Sequence, residues 1–332
     1  MKPWVVSYEI IGVTMNLLAV ALTSLLAVGQ TARPVTLVAE VRAALNEHDV
    51  SRAEAIVARR RAEQGNTAEV LEAASWLGRG ALAERQLDQA EKYAVDVQKQ
   101  ILAALAGRPV DVDPKFATAL GATIEVQALV TAARGARSEA VIYLQRELER
   151  YRTTSMLKRI QKNINLLTME GQPAPALDRS EFIGPPPPSA QDLKGKVVLL
   201  FFWAHWCGDC KWQSPILAKL LDKYQSQGLT IVAPTQRYGY VARGASATPD
   251  EELKYIIQIR DELYPFLKTL PVLTTAANHD RYGVSTTPTI VIVDRQGAVR
   301  LYHPGQMTEA ELDAQLRPLL AGAASAAAGV GR

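Results

Sequence analysis

Thiols and imidazoles are scarce in this chain of 332 residues, which holds two cysteines and four histidines. A zinc site needs about four ligands, and His48, His205, His279 and His303 show no paired ligand spacing that would complete one with the cysteines. Net charge is also slight. The formal +3 is too small to argue for a nucleic-acid partner, and between residues 35 and 170 the 19 Lys and Arg nearly cancel the 18 Asp and Glu. The run Arg59-Arg60-Arg61 therefore reads as a solvated helix face rather than a phosphate patch. Proline is thin through the same stretch, where only Pro109 and Pro114 follow Pro34, so little interrupts helix there. With 48% hydrophobic and 21% charged residues, the chain is ordinary globular material for about two domains and appendages.

What is present is concentrated. Both cysteines lie in Trp203-Ala204-His205-Trp206-Cys207-Gly208-Asp209-Cys210-Lys211. A pair two residues apart suits a zinc knuckle, a structural clip or a redox dithiol, and its surroundings favour the last. The apolar, β-branched and aromatic run Val197 to Trp203 has the pattern of a buried strand, and Ile216, Leu217, Leu220, Leu221 and Tyr224 recur at helical spacing after it. Cys207 is thus expected where a strand hands over to a helix. The free N–H groups and positive dipole end of a helix stabilise a thiolate, the attacking species in disulfide exchange.

Together with Leu193-Lys194-Gly195-Lys196 and Pro215, this block resembles the TlpA/ResA-type disulfide reductases of the thioredoxin superfamily. A second stretch, Tyr282 to Gly297, resembles the family's other signature, a cis proline opening a strand that ends in an Asp-x-x-Gly turn. The resemblance covers about residues 171–320. It implies a thioredoxin fold, a cis Thr287–Pro288 bond against Cys207, and a Thr287 backbone that pairs with an extended substrate segment. It also implies Cys207 as nucleophile, Cys210 as resolving thiol, protein disulfides as substrates, an envelope thiol–disulfide electron donor, and no metal, flavin or nucleotide cofactor. Trp206, Gly208, Asp209, His205 and Lys211 are the expected neighbours of the pair.

The chain departs from the family pattern where acids are usual. Phe201 stands six residues before Cys207, where many thioredoxins keep a buried acid, and Gln213 stands three after Cys210, where TlpA/ResA-type reductases often keep glutamate. His205 and Asp209 remain as the polar groups nearest the dithiol, with His205 read first as a solvated loop residue. The charge of Asp209 opposes the thiolate that the helix end favours, so a moderately acidified, reductant-like nucleophile is expected.

Four segments frame this site. Ile10 to Gly29 is a 20-residue run without charge, expected within residues 1–29 as an export signal cleaved after Gly29 or a retained membrane anchor; either places the chain in the periplasm or cell envelope. Residues 35–170 read as an all-α array of helical hairpins resembling tetratricopeptide repeats, with polar turns before Ala53, Ala90 and Ala140. That array is a candidate docking surface for a protein partner or a packing spacer. Gly171 to Pro175 and Pro185 to Pro188 mark the entry to the α/β thioredoxin-like region at 171–320, and residues 321–332 read as a low-complexity, disordered tail. Tyr238, Tyr240, Arg237 and Arg243 lie in a loop that is a lid over the dithiol, a contact for a partner protein or an exposed connection. The resulting expectation is an exported oxidoreductase that reduces protein disulfides. Alternatives are a thiol oxidase or isomerase, and a helical binding module with an auxiliary redox domain.

Overall fold

In the computed structural model the described residues are 35–328, with the side chains of 322–328 excepted; the export segment expected at 1–29 and residues 329–332 lie outside them. Seven helices come first: α1 (Leu37–Asn46), α2 (Val50–Gln64), α3 (Ala68–Ala83), α4 (Leu87–Leu105), α5 (Pro114–Ala133), α6 (Arg137–Arg150) and α7 (Leu157–Thr168). Their starts are chemically marked. Thr36, Asp49, Thr67 and Asp113 each accept a backbone N–H of the first turn of the helix that follows, and Pro114 opens α5.

The turns inside the first three hairpins share one geometry. His48, Arg85 and Gly135 take positive φ (60°, 58° and 92°). The next residue's N–H closes back on Ala44, Ala81 and Thr131 at 3.0, 2.9 and 3.1 Å, the longer-range bond of a Schellman cap. Five residues beyond each left-handed position stand Ala53, Ala90 and Ala140, all wholly buried. Helices pack in sequence order, each hairpin against the next. At their centre α5 is apolar nearly all round, burying Phe116, Leu120, Ile124, Val126 and Val130, so its composition reflects a core position. One charged cluster is folded in: Glu125 receives Arg79 at 3.0 and 3.1 Å and Lys162 at 2.7 Å, while Arg42 and Arg79 flank the Trp76 ring at 4.6 and 4.7 Å.

The second region holds β1 (Phe182–Ile183), α8 (Ala190–Leu193), β2 (Val197–Phe202), α9 (Gly208–Tyr224), β3 (Leu229–Val232), α10 (Pro249–Leu263), β4 (Val272–Leu273), α11 (Ala276–Arg281), β5 (Thr289–Val293), β6 (Val299–Pro304) and α12 (Glu309–Ala328). The main sheet runs β3-β2-β5-β6, with β2 parallel to β3 and antiparallel to β5, and β1 pairs separately with β4. All six residues of β2 are buried because helices cover both faces. Leu199 and Phe201 join one core with residues of α9, α10 and α12, whereas Leu200 and Phe202 join another with Tyr282 and Leu166. α12 continues to Ala328, into the stretch whose composition reads as a disordered tail; the high helix propensity of alanine carries the helix onward.

The two regions belong to one compact unit. Asn165 of α7 donates its side-chain N–H to the Tyr282 carbonyl at 2.8 Å, Lys158 of α7 pairs with Asp280 of α11 at 2.6 Å, and Gly171 and Val299 join the linker to β6.

Candidate active site

The buried β2 strand delivers the chain to the dithiol. Past Phe202, Thr235 donates its hydroxyl to the Trp203 carbonyl (2.8 Å) and the Trp203 indole N–H reaches the Ala233 carbonyl (3.4 Å), which fixes the segment leading to Cys207. Cys207 is the N-cap of α9: its extended backbone precedes the first helical residue, Gly208, and its Sγ accepts the Cys210 N–H at 3.0 Å. A sulfur there takes up one of the free N–H groups of the helix start and faces the positive end of the dipole. Cys207 and Cys210 are joined in a disulfide, their Cα atoms 5.3 Å apart.

Exposure around the pair is uneven. Cys207 is 3% exposed and Cys210 wholly buried, less open than a nucleophile at a bare helix start, while Trp206, Gly208 and Asp209 are exposed beside them and Lys211 is half-buried. The solvent-facing residues beside the disulfide are thus Trp206 and the first turn of α9. The Thr287–Pro288 bond is cis, and because Thr289 pairs with Phe202 in the sheet, Pro288 sits at the same sheet end as the dithiol. The Pro288 carbonyl is taken by the Gly305 N–H at 2.8 Å. Among the described residues the main-chain groups of Thr287 have no partner, and its hydroxyl is buried without one.

His205 differs from expectation. It is 1% exposed, not solvated, because residues 236–247 fold over it. Rings of Tyr238, Tyr240 and Tyr255 stand edgewise to the imidazole at 5.7, 5.5 and 5.3 Å, and Tyr238 also meets Trp206 at 5.4 Å. Beneath them Glu252, also 1% exposed, hydrogen-bonds His205 Nε2 at 3.1 Å. Burial holds the imidazole below its ordinary proton affinity, against the opposite pull of Glu252. The loop is thus packed onto the site.

The family model described as Redoxin matches residues 169–316. A thioredoxin-like protein, YneN of Bacillus subtilis, is 34% identical over 149 residues, covering 44% of this chain and 78% of that protein. The thiol-disulfide oxidoreductase ResA of Bacillus thuringiensis is 29% identical over 129 residues, 39% of this chain and 66% of its own length. A solved structure, a putative thiol:disulfide interchange protein DsbE from Chlorobium tepidum, is 26% identical, covers 46% of this chain and 97% of that one, and superposes with a TM-score of 0.33. The chain belongs to the TlpA/ResA-type thioredoxin superfamily.

Membership makes the protein a protein-disulfide oxidoreductase, and the match begins at residue 169, after the seven helices. Two departures from the TlpA/ResA pattern now have a physical form. Phe201 is buried against Tyr264, ring centroids 6.4 Å apart, and Gln213, wholly buried, accepts the Met307 N–H at 2.8 Å. Neither supplies an acid. The buried carboxylate bonded to the active-site segment, through His205, is Glu252, which no motif in the sequence singles out. Its one local signal was the helix start at Pro249-Asp250, and a first-turn glutamate normally faces solvent.

Proposed function

We propose that this chain is an exported reductase of protein disulfides working through the Cys207-Gly208-Asp209-Cys210 dithiol. The observation that carries the reading is Cys207 Sγ at the N-cap of α9, bonded to the Cys210 N–H, since a helix start favours the thiolate that must attack. The Cys207 thiolate attacks one sulfur of the substrate disulfide and expels the other as thiol. Cys210 then attacks Cys207 of the mixed disulfide, frees the second substrate thiol and leaves the Cys207–Cys210 bond. Two electrons pass to the substrate, and an envelope dithiol donor returns them. The Thr287 main chain beside Pro288, without a partner among the described residues, is where an extended substrate segment would pair.

Cys210→Ser tests the assignment: it should accumulate mixed disulfides in cell-envelope extract, separable on a non-reducing gel, while Cys207→Ser abolishes turnover and traps nothing. Adducts on the Cys207→Ser protein instead would reverse the roles. Export rests on the uncharged run from Ile10 to Gly29. Alkaline phosphatase fused after Leu320 should be active, and an inactive fusion of full length retained in the cytosol would refute export. The three matching turns at His48, Arg85 and Gly135 support a repeat-like helical region, which holds the redox region in a set place through α7 and offers its outer helices to a protein partner.

A further inference from the structure

Both positions where relatives keep an acid are apolar or neutral, yet one carboxylate is buried within reach of the active-site segment. Glu252 Oε1 accepts the Tyr238 N–H at 2.5 Å and Oε2 the Gly239 N–H at 2.7 Å, and Oε1 lies 3.1 Å from His205 Nε2. A single side chain on α10 therefore binds the loop before its own helix and the residue two places ahead of Cys207. Because a buried carboxylate without donors is costly, the three partners make this a built arrangement. Tyr238, in turn, packs against exposed Trp206, so the same contacts set the rim of the disulfide.

We infer that Glu252 is a positioning residue of the dithiol, holding His205 and the 238–240 loop against the Cys207 segment and coupling the proton on the imidazole to the charge on Cys207. This rests on Cys207 being the nucleophile. The groups facing His205 are Glu252 and Tyr255 of α10, Tyr238 and Tyr240 of the loop, and Lys211 of α9. Burial works against imidazolium, Glu252 favours it and Lys211 opposes it. While the imidazole is neutral the pair carries one negative charge, which disfavours a thiolate nearby; when it is protonated the pair is neutral. Reduction of the Cys207–Cys210 bond by a donor dithiol breaks one S–S bond, forms another in the donor, and moves two electrons and two protons to this protein. One proton goes to Cys210. The other is shared between Cys207 and His205, and imidazolium paired with Glu252 is the form that accompanies a Cys207 thiolate.

Linkage makes this testable on the unmodified protein, because a charge on Cys207 that responds to His205 must shift His205 equally in return. The NMR titration of the His205 ring should have a higher midpoint in the dithiol form than in the disulfide form, by about one pH unit. Equal midpoints in the two forms overturn the inference. Glu252→Gln keeps the side-chain shape and removes the charge; it should lower the His205 midpoint by about one unit or more and erase its dependence on redox state. A Glu252→Gln protein that keeps the redox-dependent shift also overturns it. If that variant does not fold, the comparison of the two wild-type forms decides alone. Failure here is separable from failure of the functional reading: equal midpoints with an inactive Cys207→Ser remove only the role of Glu252, whereas an active Cys207→Ser removes the nucleophile assignment itself.

Discussion

The two regions bury different kinds of side chain. Among the largest wholly buried residues, Trp203, Tyr264, Tyr282, Phe201 and Phe202 belong to the redox region, while Leu37, Leu71, Ile101, Leu120, Ile124, Leu144 and Met156 belong to the helices. Aromatic rings fill the wide gaps between a sheet and its helices, and Phe201, Trp203 and Tyr264, which share one core with both cysteines, make the floor under the dithiol. The helical region instead brings backbones close, using Ala53, Ala81, Ala90, Ala94 and Ala140 at its contacts. One region thus depends on a few irreplaceable rings beneath a reactive site, and the other on many small residues at a repeated turn.

The strongest way to break that contrast is at Phe201. Phe201→Asp replaces a wholly buried ring of the aromatic floor by a carboxylate with no donor at hand. The cavity and the desolvated group together should cost about 3–5 kcal/mol, read as a lower denaturant midpoint. A fall of under about 1 kcal/mol would show that the site tolerates an acid there and that the aromatic floor is not what holds it.

Acid should separate the regions next. His279 of α11 is 1% exposed, lies edgewise to Phe202 at 5.2 Å, and among the described residues neither ring nitrogen has a partner. Burial, aided by Lys158, pushes its proton affinity down to about 3, against about 6.5 in an unfolded chain. Its folded value is depressed, so its contribution is fully present above pH 6.5 and falls as pH drops from 6.5 toward 3. For Glu125 burial alone works to raise the pKa, but Arg79 and Lys162 outweigh it and bring it down to about 2; its contribution is present above about 4.5 and declines only below that. Amide exchange measured from pH 7 to 4 should therefore show protection around α11 and β2 weakening before protection around α5, by up to about 1.4 kcal/mol per pH unit. Loss of α5 protection first would invert the ranking.

The same contrast explains what the sequence made legible. The dithiol was readable because strand, cysteine pair and helix are contiguous, and the Thr287–Pro288 signature stands directly before a strand that pairs with β2. The helical hairpins were readable because each turn is local and each is followed by a small residue at a fixed step. Glu252 was not, since it lies 42 residues after Cys210 and reaches the site only because residues 236–247 fold back over His205. Its inward direction is a property of that packing, invisible in the helix-start pattern of Thr248-Pro249-Asp250-Glu251. His205 departs from its solvated expectation for the same reason: the tyrosines that bury it come from the loop and from α10. At the far end, alanine-rich composition suggests disorder, whereas the chain forms the end of α12.

The finest test concerns backbone approach in the helical region. A Cβ placed on Gly78 would stand 3.4 Å from the Ala90 carbonyl oxygen and 3.4 Å from a Val126 methyl, at the edge of ordinary contact. Gly78→Ala should then keep most of the helix-propensity gain of about 1 kcal/mol, a net stabilisation of a few tenths to about 1 kcal/mol by thermal melting. Two residues on, a Cβ on Gly80 would collide with Leu45 Cδ2, so the same substitution must displace a packed leucine and the propensity gain is offset by overpacking of about 1–3 kcal/mol. Both glycines lie on α3, in one helix and one kind of exchange, so their difference isolates packing from propensity. If Gly78→Ala and Gly80→Ala change the melting temperature alike, close small-residue contact is not what governs this region, and its cohesion lies instead in the leucines and isoleucines of its core.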